Sequence, residues 1–190
     1  MASTERPSQN DLKHSGGAAH SPCRILGIDP GLKITGYGVV EVDETNHPHL
    51  CEAGVIRAPV RGDLAKRVKT IFDGVTEIIE AFQPSVVALE ELYSHYERPR
   101  TAILMGHARG VICLAAAQAG IEVISYAATQ VKRLLTGSGR APKSQIQRAV
   151  QRELSLPTLP NPPDVADALA IAVCHAYLQR KREMIAAAKR

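Results

Sequence analysis

The stretch Ile25-Leu26-Gly27-Ile28-Asp29-Pro30-Gly31, continuing as Leu32-Lys33-Ile34-Thr35-Gly36-Tyr37-Gly38-Val39-Val40, decides the fold. An apolar run ends in a carboxylate beside a Pro-Gly turn, and a second apolar run leaves with glycines spaced through it. That is the pattern of a hairpin with an acid at its mouth. Pro30 fixes φ and Gly31 is free to take φ > 0, so a tight turn is expected, with Asp29 held at a strand end. A carboxylate held that rigidly suits a hard cation. Asp at a turn also commonly caps its own backbone, and this stretch alone leaves both roles open.

Outward from the hairpin, strands are expected at 24–29 and 34–42, a turn through Glu44-Thr45-Asn46-His47-Pro48, and a third strand at about 50–58. From Leu64 the apolar spacing becomes Leu64, Val68, Ile71, Phe72, Val75, Ile78, Ile79 and Phe82, one face of a helix that Gln83-Pro84 stops. Ser85-Val86-Val87-Ala88-Leu89-Glu90-Glu91 reads as a strand buried on both faces and ending in acids. Pro99 to Ala119 is a helix rich in small residues, and Ile121 to Tyr126 is a strand. Short helices follow at 127–135 and 142–154, and after Pro157, Pro160, Pro162 and Pro163 a last helix runs from Asp164 to about Arg182. The order βββαβαβ with helices to follow predicts an α/β fold, a mixed five-stranded sheet flanked by helices.

With 190 residues the chain has room for one domain, expected over 23–180. It is 45% hydrophobic and 22% charged, and with no Trp the core is aliphatic. Residues 1–22 are rich in Ser, Gly and charge without an apolar run, so they are expected to be a disordered extension rather than a secretory signal. Residues 181–190 are expected to form a basic, frayed tail. Cys23, Cys51, Cys113 and Cys174 are far apart, which suits reduced thiols in a cytoplasmic protein, and no stretch suits a membrane span. The formal charge is only +4, but Lys132, Arg133, Arg140, Lys143, Arg148 and Arg152 fall in one run, 130–152, that holds no acid.

The last helix opens Pro163-Asp164-Val165-Ala166-Asp167. Asp164 and Asp167, three apart, share a face of its first turn. The helix dipole alone accounts for either one, since it favours acids there by up to about 1 kcal/mol. It does not account for four carboxylates, Asp29, Glu90, Asp164 and Asp167, each ending or opening an apolar element. Gathered without a cation, such acids repel. An all-oxygen set selects Mg²⁺ or Mn²⁺, and four carboxylates are enough for the two ions used in phosphodiester hydrolysis. The acids suggest a nuclease, and the basic run suggests a nucleic-acid substrate.

Gly27-Ile28-Asp29-Pro30-Gly31 with Thr35-Gly36-Tyr37-Gly38, Ala88-Leu89-Glu90, Gln130-Val131-Lys132, Lys143-Ser144-Gln145 and Asp164-Val165-Ala166-Asp167-Ala168-Leu169-Ala170, in that order over about 24–177, resemble the RuvC family of bacterial Holliday-junction resolvases. The resemblance implies a ribonuclease H-like fold and a homodimer that nicks two opposed strands of a four-way DNA junction during recombination and repair, with RuvA-RuvB branch-migration proteins as partners. It implies that Asp29, Glu90, Asp164 and Asp167 bind Mg²⁺, two ions per site. It further implies that Lys132 and Lys143 lie near the scissile phosphate, Lys143 with a catalytic role, and that Tyr93 stacks on an unpaired base. Arg140 and Arg148, in the same acid-free run, are expected to meet the DNA backbone. Three rival readings remain: an actin-like ATPase, for which the chain is too short to hold the duplicated domain; a catalytically dead binder, which would have lost an acid; and a nuclease of the same fold acting on RNA or RNA-DNA hybrids.

Overall fold

The computed structural model describes residues 23–59, 63–92 and 99–189. The elements are β1 (Cys23–Asp29), β2 (Ile34–Val42), β3 (Pro48–Arg57), α1 (Leu64–Phe82), β4 (Val86–Glu90), α2 (Pro99–Gln118), β5 (Glu122–Tyr126), α3 (Ala128–Thr136), α4 (Lys143–Glu153) and α5 (Pro163–Ala187). The expected order is the observed one. The strands form one sheet in the order β3-β2-β1-β4-β5. β1, β2 and β3 pair antiparallel, while β1, β4 and β5 run parallel.

Side chains alternate across the sheet and divide the core in two. Ile25, Val40, Val86 and Ala88 face α3, α4 and α5. Leu26, Ile28, Val39, Val87 and Leu89 face α1 and α2. β1 and β4 are covered on both sides, which is why their sequences are continuously apolar until the final acid. α1 is amphipathic, burying Ile71, Val75, Ile78 and Ile79, and Asp63 caps it by accepting a 2.9 Å hydrogen bond from the amide of Lys66. α5 is buried over most of its first half, from Val165 to Ala176, so it lacks a polar face there and forms the centre of its layer.

Three details differ from the sequence expectation. Gly31 does not have positive φ; among the described residues the glycines that do are Gly120 and Gly137. Glycine is needed at 31 for room, because a Cβ there would meet the carbonyl oxygen of Ile34. The loop is closed instead by buried Thr35, whose hydroxyl donates to the Gly31 carbonyl at 2.7 Å. β3 begins at Pro48, not near 50, because Pro48 pairs with Val42 at a sheet edge where a missing N–H is tolerated. α5 continues to Ala187, so the expected basic tail over 181–190 is helix as far as residue 187. Gln179 Nε2 donates to Glu183 Oε1 one turn on, at 3.1 Å, and the alanines that follow are the strongest helix formers. The expected extension over 1–22 lies outside the described residues, as does Tyr93.

Candidate active site

Asp29 and Glu90 are the last residues of two adjacent parallel strands, and the β1–β4 ladder ends on Ile28 opposite Leu89, one residue short of each. Alternation from Ile25 and Gly27 to Asp29, and from Val86 and Ala88 to Glu90, turns both carboxyls toward the α5 face. α5 reaches them because the sheet offers it glycines. A Cβ at Gly27 would strike the carbonyl of Ala168, one at Gly36 would strike the carbonyl of Asp164, and one at Gly38 would strike Leu169. The helix therefore rests backbone against backbone on β1 and β2. Gly36 is also the ladder partner of Asp29, so this contact sets the opening of α5, with Asp164 and Asp167, beside Asp29.

A cavity of about 230 Å³ opens at this point, and its walls include Asp29, Glu90, Asp167, Lys132, Lys143 and Met105. Asp164 stands outside the lining, yet its charge reaches Asp29. Burial is the main reason the Asp29 carboxyl is pushed up to about 8, with the neighbouring Glu90, Asp167 and Asp164 charges adding to it. Asp29 and Glu90 are hydrogen-bonding partners, which for two carboxyls requires that the pair hold a proton between them. Burial raises Glu90 too, offset by that bond and by the ammonium groups of Lys132 and Lys143. Asp29 thus does not cap its own turn; its partner is another acid, from a different strand.

Lys143 opens α4 and its Nζ donates to Asp167 Oδ2 at 2.9 Å. That bond is the main cause of the raised Lys143 pKa. Lys132, on α3, lies in the cavity wall. Arg140, in the α3–α4 loop, and Arg148, on α4, are exposed and are not part of the lining. Three residues to which the sequence reading gave no role take part in this architecture: Thr35 locks the loop after Asp29, Met105 of α2 lines the cavity, and Arg109 of α2 donates to the Glu90 carbonyl. Thr35 carried a local signal, a β-branched hydroxyl four residues after Gly31. Arg109 carried no local signal, one of several polar residues spread along α2.

The donor set fits a hard divalent cation: four carboxylates, no thiolate or imidazole, and negative charge offset in this arrangement by one shared proton and one ammonium contact. Among the described residues no three His, Cys, Asp or Glu side chains already stand as a ready-made metal cage. Binding would have to displace the proton between Asp29 and Glu90, as metal ligation by carboxylates generally does.

The profile of the family described as crossover junction endodeoxyribonuclease RuvC matches residues 25–175, most of the chain and every element that builds the cavity. The chain belongs to the RuvC family. The RuvC of Rhodopirellula baltica is 55% identical over 156 residues, which is 81% of this chain and 86% of that protein. The RuvC of Moorella thermoacetica is 47% identical over 164 residues, 84% of this chain and 97% of that one. Among solved structures, T. thermophilus RuvC in complex with Holliday junction substrate superposes with a TM-score of 0.78 at 36% identity, covering 84% of this chain and 96% of that one. The mixed sheet with helices on both faces is therefore the RuvC version of the ribonuclease H-like fold, as expected.

Proposed function

We propose that the protein is a structure-specific endodeoxyribonuclease that resolves four-way DNA junctions by paired, metal-dependent nicks on opposed strands. Two strand-end acids and the α5 acid Asp167 line one cavity, with the charge of Asp164 reaching Asp29 from beside it, and in a chain of the RuvC family that carries this reading. Asp29, Glu90, Asp164 and Asp167 would hold Mg²⁺, with room in the donor set for two ions and with Mn²⁺ as a substitute. When bound, the ions would supply activation of the attacking water and charge stabilisation at the leaving 3′ oxygen.

The chain's own groups do the rest. Lys143, paired with Asp167, stands at the opening of α4; with that carboxylate holding a cation, its ammonium would be available to neutralise developing charge on the scissile phosphate. Lys132 guides the backbone into the cavity, and Arg140 and Arg148 extend the positive surface beyond it. Tyr93 is assigned to stacking on an unpaired base, a contact worth about 1 to 3 kcal/mol.

Two strands must be cut, and the described residues of one chain hold one acid cluster, so the working unit is a homodimer. The exposed face of α2 supports this: Ile103 and Leu114 are 63% and 50% exposed, with Gly110 open to solvent between them. We assign the protein to the cytoplasm, with RuvA-RuvB-type branch-migration proteins as partners. Among the described residues the cysteines are free thiols and no helix is long and apolar enough to cross a membrane.

The test is incubation with a synthetic immobile four-way junction and a matched linear duplex, each with and without Mg²⁺, with nicks mapped on a denaturing gel. Symmetric paired nicks on the junction alone, only with metal, are expected. Cleavage of the duplex or of an RNA-DNA hybrid in preference to the junction would replace the resolvase reading with that of a related nuclease.

A further inference from the structure

Glu90 ends β4 one residue beyond the last rung of the β1–β4 ladder, so its carbonyl has no strand partner on that side. A buried carbonyl at a strand end needs a donor. The peptide unit that joins Glu90 to Glu91 is nonetheless held at both poles. Its amide, the N–H of Glu91, donates to the carbonyl of Tyr126 at 2.9 Å. Its carbonyl, that of Glu90, accepts from Nη1 of Arg109, and Nη2 of the same guanidinium donates to the hydroxyl of Ser125 on β5. One planar fork from the middle of α2 thus clasps the ends of β4 and β5 together.

We propose that Arg109 is the positioning residue for Glu90: by fixing the orientation of the Glu90–Glu91 peptide it aims the Glu90 carboxylate at Asp29 and at the cation those acids take up. The assignment rests on the metal reading given above. The orientation of that peptide is the ψ angle of Glu90, and a turn of the plane swings the side chain off its line toward the cavity. The Tyr126 contact alone leaves the plane hinged at one pole. Lys132 and Lys143 are ammonium groups that act on the Glu90 carboxylate, whereas the bond from Arg109 is to the Glu90 main-chain carbonyl, so its role is argued from the geometry of its fork. A lysine carries the same charge but cannot present two coplanar donors, so it would reach one partner at a time.

The experiment is a Mn²⁺ titration, read as loss of the free-ion EPR signal, on wild-type protein, Arg109→Ala, Arg109→Lys and Ser125→Ala, beside junction affinity in EDTA and nicking against Mg²⁺ concentration. Loss of the group that orients a metal ligand commonly costs about 10- to 100-fold in metal affinity. Arg109→Ala is expected to weaken Mn²⁺ binding by about tenfold or more. Its junction affinity in EDTA should be unchanged, and its nicking should recover in part at high Mg²⁺, a shift in apparent KM for the metal larger than that in kcat. Arg109→Lys should fall between Ala and wild type. A folded Arg109→Ala with the wild-type titration overturns the assignment. If that variant does not fold, unchanged titrations in both Arg109→Lys and Ser125→Ala overturn it equally. Wild-type protein that shows no saturable Mn²⁺ binding overturns the metal reading itself and is distinguishable from either result.

Discussion

A carboxyl group that keeps its proton up to about pH 8 is poorly solvated as an anion, and Asp29 is that group. Its unfolded value is 3.8, so between about pH 4 and 8 the folded, metal-free chain holds a proton that the unfolded chain has lost. Stability must then fall as pH rises through that window, by at most about 1.4 kcal/mol per pH unit for one proton, and level off above it. Asp29→Asn has no proton to lose. In EDTA it is expected to remove this slope and to be more stable than wild type at pH 8, measured by urea denaturation across the pH range. The same variant should abolish nicking and leave junction binding intact or tighter, checked by gel shift beside the nicking gel. Cleavage retained in clean Mg²⁺ buffer would sink the four-acid site. The placement of the acids, Asp29 and Glu90 at strand ends and Asp164 and Asp167 near the start of α5, was legible in the sequence because an acid ending or opening an apolar run is a local pattern. Arg109 was not, because what identifies it is a carbonyl 19 residues away and a hydroxyl 16 away, a pairing that exists only once β4, β5 and α2 have assembled.

At the scale of elements, α5 carries two of the acids and is held by contacts of two kinds. Beneath its first turns are Gly27, Gly36 and Gly38. Further along, buried His175 accepts from or donates to the Tyr126 hydroxyl at 2.8 Å and meets Gln179 at 3.1 Å, which fastens the helix to the end of β5. Burial lowers the His175 pKa, so the fold favours the neutral ring, and below its unfolded value of 6.5 His175 opposes the stabilisation that Asp29 gives on acidification. His175→Phe is expected to remove that opposition and steepen the gain in stability toward acid, read by thermal denaturation from pH 7 downward. Gly36→Ala is expected to cost about 1 to 3 kcal/mol in urea denaturation and to lose nicking more steeply than junction binding, because the obstacle is the Asp164 backbone and the helix must lift. Strand and helix order was readable from periodicity, which burial imposes directly. The purpose of the glycines was not: a glycine spaced through a strand is equally the mark of a bulge, a bend or a close neighbour, and α5 lies more than 120 residues further along the chain.

At the scale of the whole molecule, assembly and charge govern how the site meets DNA. Ile103, His107, Gly110 and Leu114 lie along one exposed face of α2 at helical spacing. Leu114→Asp is expected to convert a dimer to a monomer in sedimentation and to replace paired nicks with slow single ones. Junction affinity should fall linearly in log-log form with salt, by roughly 0.9 per phosphate neutralised, and Arg148→Ala should lower that slope by about 1, measured by fluorescence anisotropy. The α2 face could not be read from sequence order, since a self-association face leaves no local rule behind; the acid-free run at 130–152 could, because charge is counted without a fold. The seating of α5 on hydrogen atoms, where any other residue would bring a methyl group, has an evolutionary corollary. Aliphatic residues deeper in the two cores can be exchanged for others of similar volume, generation after generation, while the distance between the acids stays put. A lineage of this protein can therefore rewrite most of its interior and still cut DNA, but it has almost no freedom at Gly27 and Gly36, where the obstacle is the backbone of α5.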